Sequence, residues 1–239
     1  MQRIESLAVA LDTAHRDDFD ELCALFGPRV GVLKVGLEAY TRWGADAVKE
    51  ARRHGAAIFL DLKLHDIPNT VAGAVQAAAE LGVDYLTVHA SGGARMLEAA
   101  AQAADGRLRL LAVTLLTHLD AAALESLGWP GDSGERALRW ARLARQAGCH
   151  GAVCSPHEVG ALRRQEPRPF TLVTPGVRLG DAVAQDDQAR TADPTTALAA
   201  GSDLLVVGRP LTRALDRQAA LTTWAEAIAA RDPGSAAPG

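Results

Sequence analysis

The chain has 239 residues, 48% of them apolar and 23% charged, which is the composition of an ordinary globular protein with ample material for a core. Its net charge of −4 offers no basic surface for nucleic acid or an anionic membrane, so neither is expected as a partner, and a small anionic substrate would need local positive groups. No apolar stretch reaches the roughly 18 residues of a membrane span, and the polar start Met1-Gln2-Arg3-Ile4-Glu5 does not read as a signal peptide.

Short apolar runs alternate with longer helical stretches along the whole chain. The first strand candidate, 6–11, ends at Asp12, which with Thr13 could simply cap the following helix. The second, 30–35, contains Lys34, and a lysine inside an apolar strand needs a counter-ion. The third, 57–61, runs into Asp61-Leu-Lys-Leu-His-Asp-Ile-Pro-Asn-Thr70. Side chains two apart in a strand share a face, so Asp61 and Lys63 should project together, while His65 faces away. Asp66 follows in the loop, and Pro68 suits the first turn of a helix. A lone Asp-x-Lys would be a structural ion pair. A third charge and a Pro-Asn-Thr helix start favour a catalytic site.

The fourth candidate, 84–88, is followed by His89, the fifth, 108–114, by Thr117, and the sixth, 150–154, by Ser155. The seventh, 170–174, leads into Thr174-Pro175-Gly176-Val177-Arg178, and the eighth, 203–207, into Gly208-Arg209-Pro210. Ala-rich amphipathic segments such as 92–104, 134–147 and 193–200 lie between them. Eight strands separated by helices predict a (β/α)8 TIM barrel, with function on the C-terminal strand ends. A doubly wound open sheet is the alternative, but no Gly-x-Gly-x-x-Gly follows the first strand. No linker divides the chain, so residues 1–230 should form a single catalytic domain. The tail 231–239 has the composition of a disordered segment. Cys23, Cys149 and Cys154 lack metal-type spacing and read as buried small hydrophobes, in keeping with a cytoplasmic protein.

Lys34, Asp61, Lys63 and Asp66 sum to zero charge, which would let each stay ionised in a partly dry pocket. A Schiff-base lysine needs a depressed pKa, and adjacent carboxylates oppose that. Lys63 therefore reads as a proton donor or charge stabiliser. The two Gly-then-Arg turns, after strands seven and eight, stand where barrels often bind phosphate. The charged stretch 180–192 between them reads as a lid. No histidine shows paired spacing, so no metal site is expected.

These residues resemble the orotidine 5′-phosphate decarboxylase family, in its bacterial branch. The decapeptide 61–70 carries most of the likeness. Val9-Ala-Leu-Asp12, Leu33-Lys-Val-Gly36, Leu86-Thr-Val-His89, Val113-Thr-Leu-Leu-Thr117, Thr174-Pro-Gly-Val-Arg178, Asp186-Asp-Gln188 and Val206-Val-Gly-Arg-Pro210 follow in order, from about residue 6 to 215. The resemblance implies conversion of orotidine 5′-phosphate to UMP and CO2 without a cofactor or metal, in pyrimidine biosynthesis. It implies Lys63 as proton donor to the ring carbon, Asp61 against the substrate carboxylate, and Lys34 between Asp61 and the ribose. Asp12 would bind the ribose, Thr117 and Pro175 would line the pyrimidine and phosphate pocket, and Arg178, Gln188, Gly208 and Arg209 would hold the phosphate. Asp66 and Thr70 would reach the site of a neighbouring subunit in a homodimer. Two positions depart from the pattern: His118, where a small polar residue is commoner, and Ser202 before Asp203, where alanine is usual. The rival activities are a metal-dependent sugar-phosphate lyase of the same superfamily and a non-catalytic nucleotide-binding barrel.

Overall fold

The computed structural model of the chain describes residues 2–180 and 192–230. Eight strands, β1 (Ile4–Ala10), β2 (Val30–Gly36), β3 (Ala57–Leu64), β4 (Tyr85–His89), β5 (Arg109–Val113), β6 (Gly151–Val153), β7 (Thr171–Pro175) and β8 (Leu204–Val207), close into a barrel in sequence order. Every neighbouring pair is parallel, and β8 returns to β1, which excludes the open sheet. The helices are α1 (Arg16–Phe26), α2 (Leu37–Trp43), α3 (Ala45–Arg52), α4 (Pro68–Glu80), α5 (Ala94–Ala104), α6 (Ala121–Ser126), α7 (Ser133–Gln146), α8 (Val159–Gln165), α9 (Pro194–Ala200), α10 (Arg209–Thr212) and α11 (Arg217–Ala229). The expected (β/α)8 TIM barrel is therefore the observed fold. The lid segment and the tail 231–239 lie outside the described residues, apart from the lid's two ends.

Several helix starts follow from local chemistry. Asp120, Asp132, Asp193 and Asp216 accept backbone N–H groups of the first turns of α6, α7, α9 and α11. Pro68 opens α4, where a missing N–H costs nothing. Asp12 and Thr13 are different: α1 begins only at Arg16, after a His15 that makes no side-chain cap. The capping reading of Asp12 is thus set aside, and its carboxylate is available elsewhere.

Strand alternation divides the core into two layers. Leu7, Val9, Leu33, Val35, Ile58, Leu60, Leu86 and Val88 point outward and pack under the helices. Ala8, Ala10, Val32, Phe59, Leu111, Val173, Leu204 and Val206 point inward and fill the barrel. Small alanines on β1 face the bulkier residues of the other strands. Lys34 and Asp61 stand two residues beyond Val32 and Phe59, so they occupy the next inward layer, toward the C-terminal mouth. The β2–β3 register pairs Lys34 with Phe59 and Gly36 with Asp61, which places the two charges on adjacent strands one pleat apart.

Among the described residues no helix is long and apolar enough to cross a membrane.

Candidate active site

A cavity of about 280 Å3 opens at the C-terminal mouth of the barrel. Its floor is apolar, made by Ala10, Phe59, Val113, Val153, Cys154 and Val206. One wall carries Asp12, Lys34, Asp61 and Lys63, and the opposite wall carries Pro175, Gly176, Arg178, Gly208, Arg209 and Thr212. Leu115, Leu116 and Thr117 close the space from the loop after β5. An anion-binding end and a charged carboxylate–lysine end therefore face each other across a hydrophobic base.

Asp61 is the hub of the charged wall. Its two carboxylate oxygens both accept from Lys63 Nζ, at 2.8 Å each. Lys34 Nζ lies 3.3 Å from Asp61 Oδ2 and 3.9 Å from Asp12 Oδ2. Thr87 donates its hydroxyl to Asp61 Oδ1 at 2.9 Å. Burial alone would raise the Asp61 carboxyl, but the ammonium groups of Lys34 and Lys63 and the hydrogen bonds outweigh it and bring it down to about 2. Burial likewise opposes the charge on Lys34, yet Asp61 and Asp12 hold its ammonium above the ordinary lysine value. The two shifts agree in sense: each member of the buried pair keeps its charge because the other is present.

The fourth charge of this array differs from the expectation. Asp66 does not join Lys34, Asp61 and Lys63 within one chain. It is exposed on the loop after β3, accepts the N–H of Ile67 at 2.6 Å, and borders a separate surface hollow with His65, Pro68 and Gly92. Asp12 takes its place beside Lys34, so two carboxylates and two ammonium groups still balance. The Ala10–Lys34 pairing of β1 with β2 brings Asp12 there, two residues past the strand end. Gly36 leaves the room for it: a side chain at this position would meet Asp12 Oδ1 at 2.7 Å and Lys34 Nζ at 3.1 Å.

β3 continues beyond its expected end to Leu64, and it does so through an irregularity. Leu60 pairs with Leu86 and Leu64 with Val88, so four residues of β3 advance against two of β4. Within that stretch Lys63 takes a left-handed backbone, with φ of 51°, at a cost on the order of 1–2 kcal/mol for a residue with a Cβ. Simple alternation therefore gives the correct facing for Asp61 and Lys63 but misses how the second is aimed. His65 packs its ring against His89, with centroids 5.4 Å apart, and does not line the main cavity.

The remaining expected residues divide clearly. Thr117, Pro175, Arg178, Gly208 and Arg209 all line the cavity, and Arg178 is buried. Thr70 is exposed near the start of α4, on the same outer surface as Asp66. Gln188 lies outside the described residues. Ser155 is buried but absent from the cavity lining, and its backbone N–H donates to Glu158 instead. His118 is exposed and stands clear of the cavity. Ser202 hydrogen-bonds Thr174 at 2.8 Å inside the barrel wall, which gives the departure from alanine a packing partner. Thr87, Thr212 and Cys154 carry no signal of their own in the sequence. Thr87 is an ordinary strand residue by type, and only its inward register reveals it.

Comparisons with known proteins agree with this site. The model of the orotidine 5′-phosphate decarboxylase / HUMPS family matches residues 5–223. An orotidine 5′-phosphate decarboxylase of Anaeromyxobacter sp. (strain K) is 50% identical over 230 residues, covering 96% of this chain and 99% of that protein. One from Thermobifida fusca (strain YX) is 51% identical over 222 residues, covering 92% and 94%. The crystal structure of orotidine 5′-phosphate decarboxylase from Lactobacillus acidophilus matches with a TM-score of 0.81 at 34% identity, covering 95% of this chain and 99% of that one. With the barrel, its charged mouth and full-length relatives all in agreement, the chain belongs to the orotidine 5′-phosphate decarboxylase / HUMPS family.

Proposed function

We propose that the chain decarboxylates orotidine 5′-phosphate to UMP and CO2, in pyrimidine biosynthesis, with Lys63 as the proton donor. The observation that carries this reading is the Lys34–Asp61–Lys63 array, buried at one end of a cavity whose other end holds Arg178 and Arg209. The substrate phosphate would sit between Gly176, Arg178, Gly208 and Arg209, where glycine backbones allow close approach and arginines grip an anion bidentately. The pyrimidine would lie over the apolar floor beside Thr117, and the ribose hydroxyls would meet Asp12 and Lys34.

This placement sets the substrate carboxylate toward Asp61. The C6–carboxylate bond breaks, CO2 leaves, and the electron pair stays on C6, which the ring does not delocalise well. An ammonium aimed at that carbon stabilises charge only as it develops, and then gives up its proton to form UMP. Asp61 and Lys34 hold the ammonium in place beforehand, so little reorganisation is left for the reaction itself. Phosphate contacts far from C6 supply binding energy for that alignment.

The reaction is checked by incubating the protein with orotidine 5′-phosphate and following loss of its absorbance together with UMP and CO2. One UMP per CO2 is expected; absence of turnover contradicts the reading. Arg209→Ala should weaken substrate binding by about 2–4 kcal/mol, seen as a rise in KM of roughly 30- to 1,000-fold with a smaller change in kcat. A KM within a factor of about two of wild type would remove Arg209 from the phosphate site.

The active unit is proposed to be a homodimer in which Asp66 and Thr70 approach the site of the second copy. Both are exposed in the single chain, and Ile67 beside Asp66 is 67% exposed, an apolar side chain suited to a subunit contact. A cytoplasmic location is consistent with three cysteines that are buried and free.

A further inference from the structure

We infer that Thr87 is a positioning residue for the decarboxylation, holding the Asp61 carboxylate and the backbone of Lys63 in fixed relation. The inference rests on the function proposed above and concerns a residue outside the cavity lining. Thr87 is fully buried on β4, on the inward face between Leu86 and Val88. Its hydroxyl accepts the backbone N–H of Lys63 at 2.8 Å and donates to Asp61 Oδ1 at 2.9 Å. The roles are forced, because a backbone N–H only donates and an ionised carboxylate only accepts.

These two bonds close a ring. Asp61 Oδ1 also accepts from Lys63 Nζ, so the backbone N–H, the Thr87 hydroxyl, the carboxylate and the ammonium follow one another back to residue 63. The ring spans the irregular stretch where four residues of β3 face two of β4. There Lys63 has its left-handed backbone, a conformation that persists only when the surroundings over-determine it. Thr87 supplies that constraint and gives the Lys63 N–H a partner within the irregularity. When the ammonium turns from Asp61 to the substrate carbon, Thr87 and Lys34 remain to keep the carboxylate in place.

Thr87→Val preserves the shape and removes the hydroxyl, which leaves a buried N–H and one carboxylate oxygen short of a partner. Thr87→Ser keeps the hydroxyl and loses only a methyl group. Both are compared with wild type for kcat and KM on orotidine 5′-phosphate and for UMP affinity by calorimetry. In Thr87→Val, kcat should fall about 10- to 100-fold while UMP affinity stays within about threefold. Thr87→Ser should stay within about threefold of wild type in both. Thr87→Ala stands in, with the same expected loss, should the valine variant not fold. If wild type itself shows no turnover, the proposed function fails and this inference with it. With an active wild type, unchanged kcat in the hydroxyl-free variant overturns the role of Thr87 alone. Equal loss in Thr87→Ser, or UMP affinity falling in parallel with kcat, overturns it too, since general loosening of the barrel would then be the cause.

Discussion

Lys63→Ala should bind UMP nearly as tightly as wild type and release almost no CO2 from orotidine 5′-phosphate. The loss removes two contributions at once: an aimed positive charge, worth about 10²–10³ in rate, and a general acid, worth about 10²–10⁴. Such effects overlap rather than multiply, so a fall in kcat of about 10⁴-fold or more is expected, roughly 5 kcal/mol of transition-state stabilisation. The fold should survive the change. Asp61 keeps Lys34 at 3.3 Å and the Thr87 hydroxyl at 2.9 Å, so no buried carboxylate is left alone. The phosphate wall, with Arg178 and Arg209, lies across the cavity and is untouched. Single-turnover CO2 release together with UMP calorimetry checks this, and near-normal release would remove Lys63 from the chemistry.

Asp61→Ala should damage both activity and stability, the second by about 3–5 kcal/mol. It removes the nearer counter-ion of Lys34, which is buried and would keep only Asp12 at 3.9 Å. An uncompensated charge in that position is the costly outcome, more than the loss of attraction itself. The pH dependence follows from the same pair. Asp61 has a folded-state carboxyl at about 2 against an ordinary value of 3.8, so its contribution is present above about pH 4 and is lost as pH falls through about 2. Urea unfolding at neutral pH should show the full loss in Asp61→Ala, and the wild-type excess should shrink between about pH 4 and pH 2. Equal stability at neutral pH would contradict this role for the buried pair.

Much of this site is legible in the amino-acid sequence, for a definite reason. Strands of a parallel barrel are buried on both faces and read as short apolar runs, so Lys34, Asp61 and Lys63 stand out as charges that a core does not tolerate. Strand ends mark the functional face, which is why Thr117, Arg178, Gly208 and Arg209 fall together around one cavity. What stays hidden depends on closure and register. Asp12 comes within reach of Lys34 only because β1 pairs with β2 at Ala10 and Lys34. Asp66, three residues from Lys63 in sequence, turns outward because the chain bends into α4 at once. Thr87 is ordinary by type, and its importance appears only when the extra residues of β3 carry the Lys63 N–H onto its hydroxyl. Ser155 shows the converse: a polar residue at a strand end, tied to Glu158 rather than facing the cavity.

The lysine–carboxylate array is expected to perform the decarboxylation with no metal taking part. Lys34 and Lys63 already engage the Asp61 carboxylate that a metal-dependent relative would use for its ion. The most direct measurement is the rate of orotidine 5′-phosphate consumption by protein dialysed against EDTA and assayed in its presence. An unchanged rate is predicted, with UMP and CO2 formed in equal amounts. Loss of turnover under EDTA, restored by added Mg2+, would contradict it.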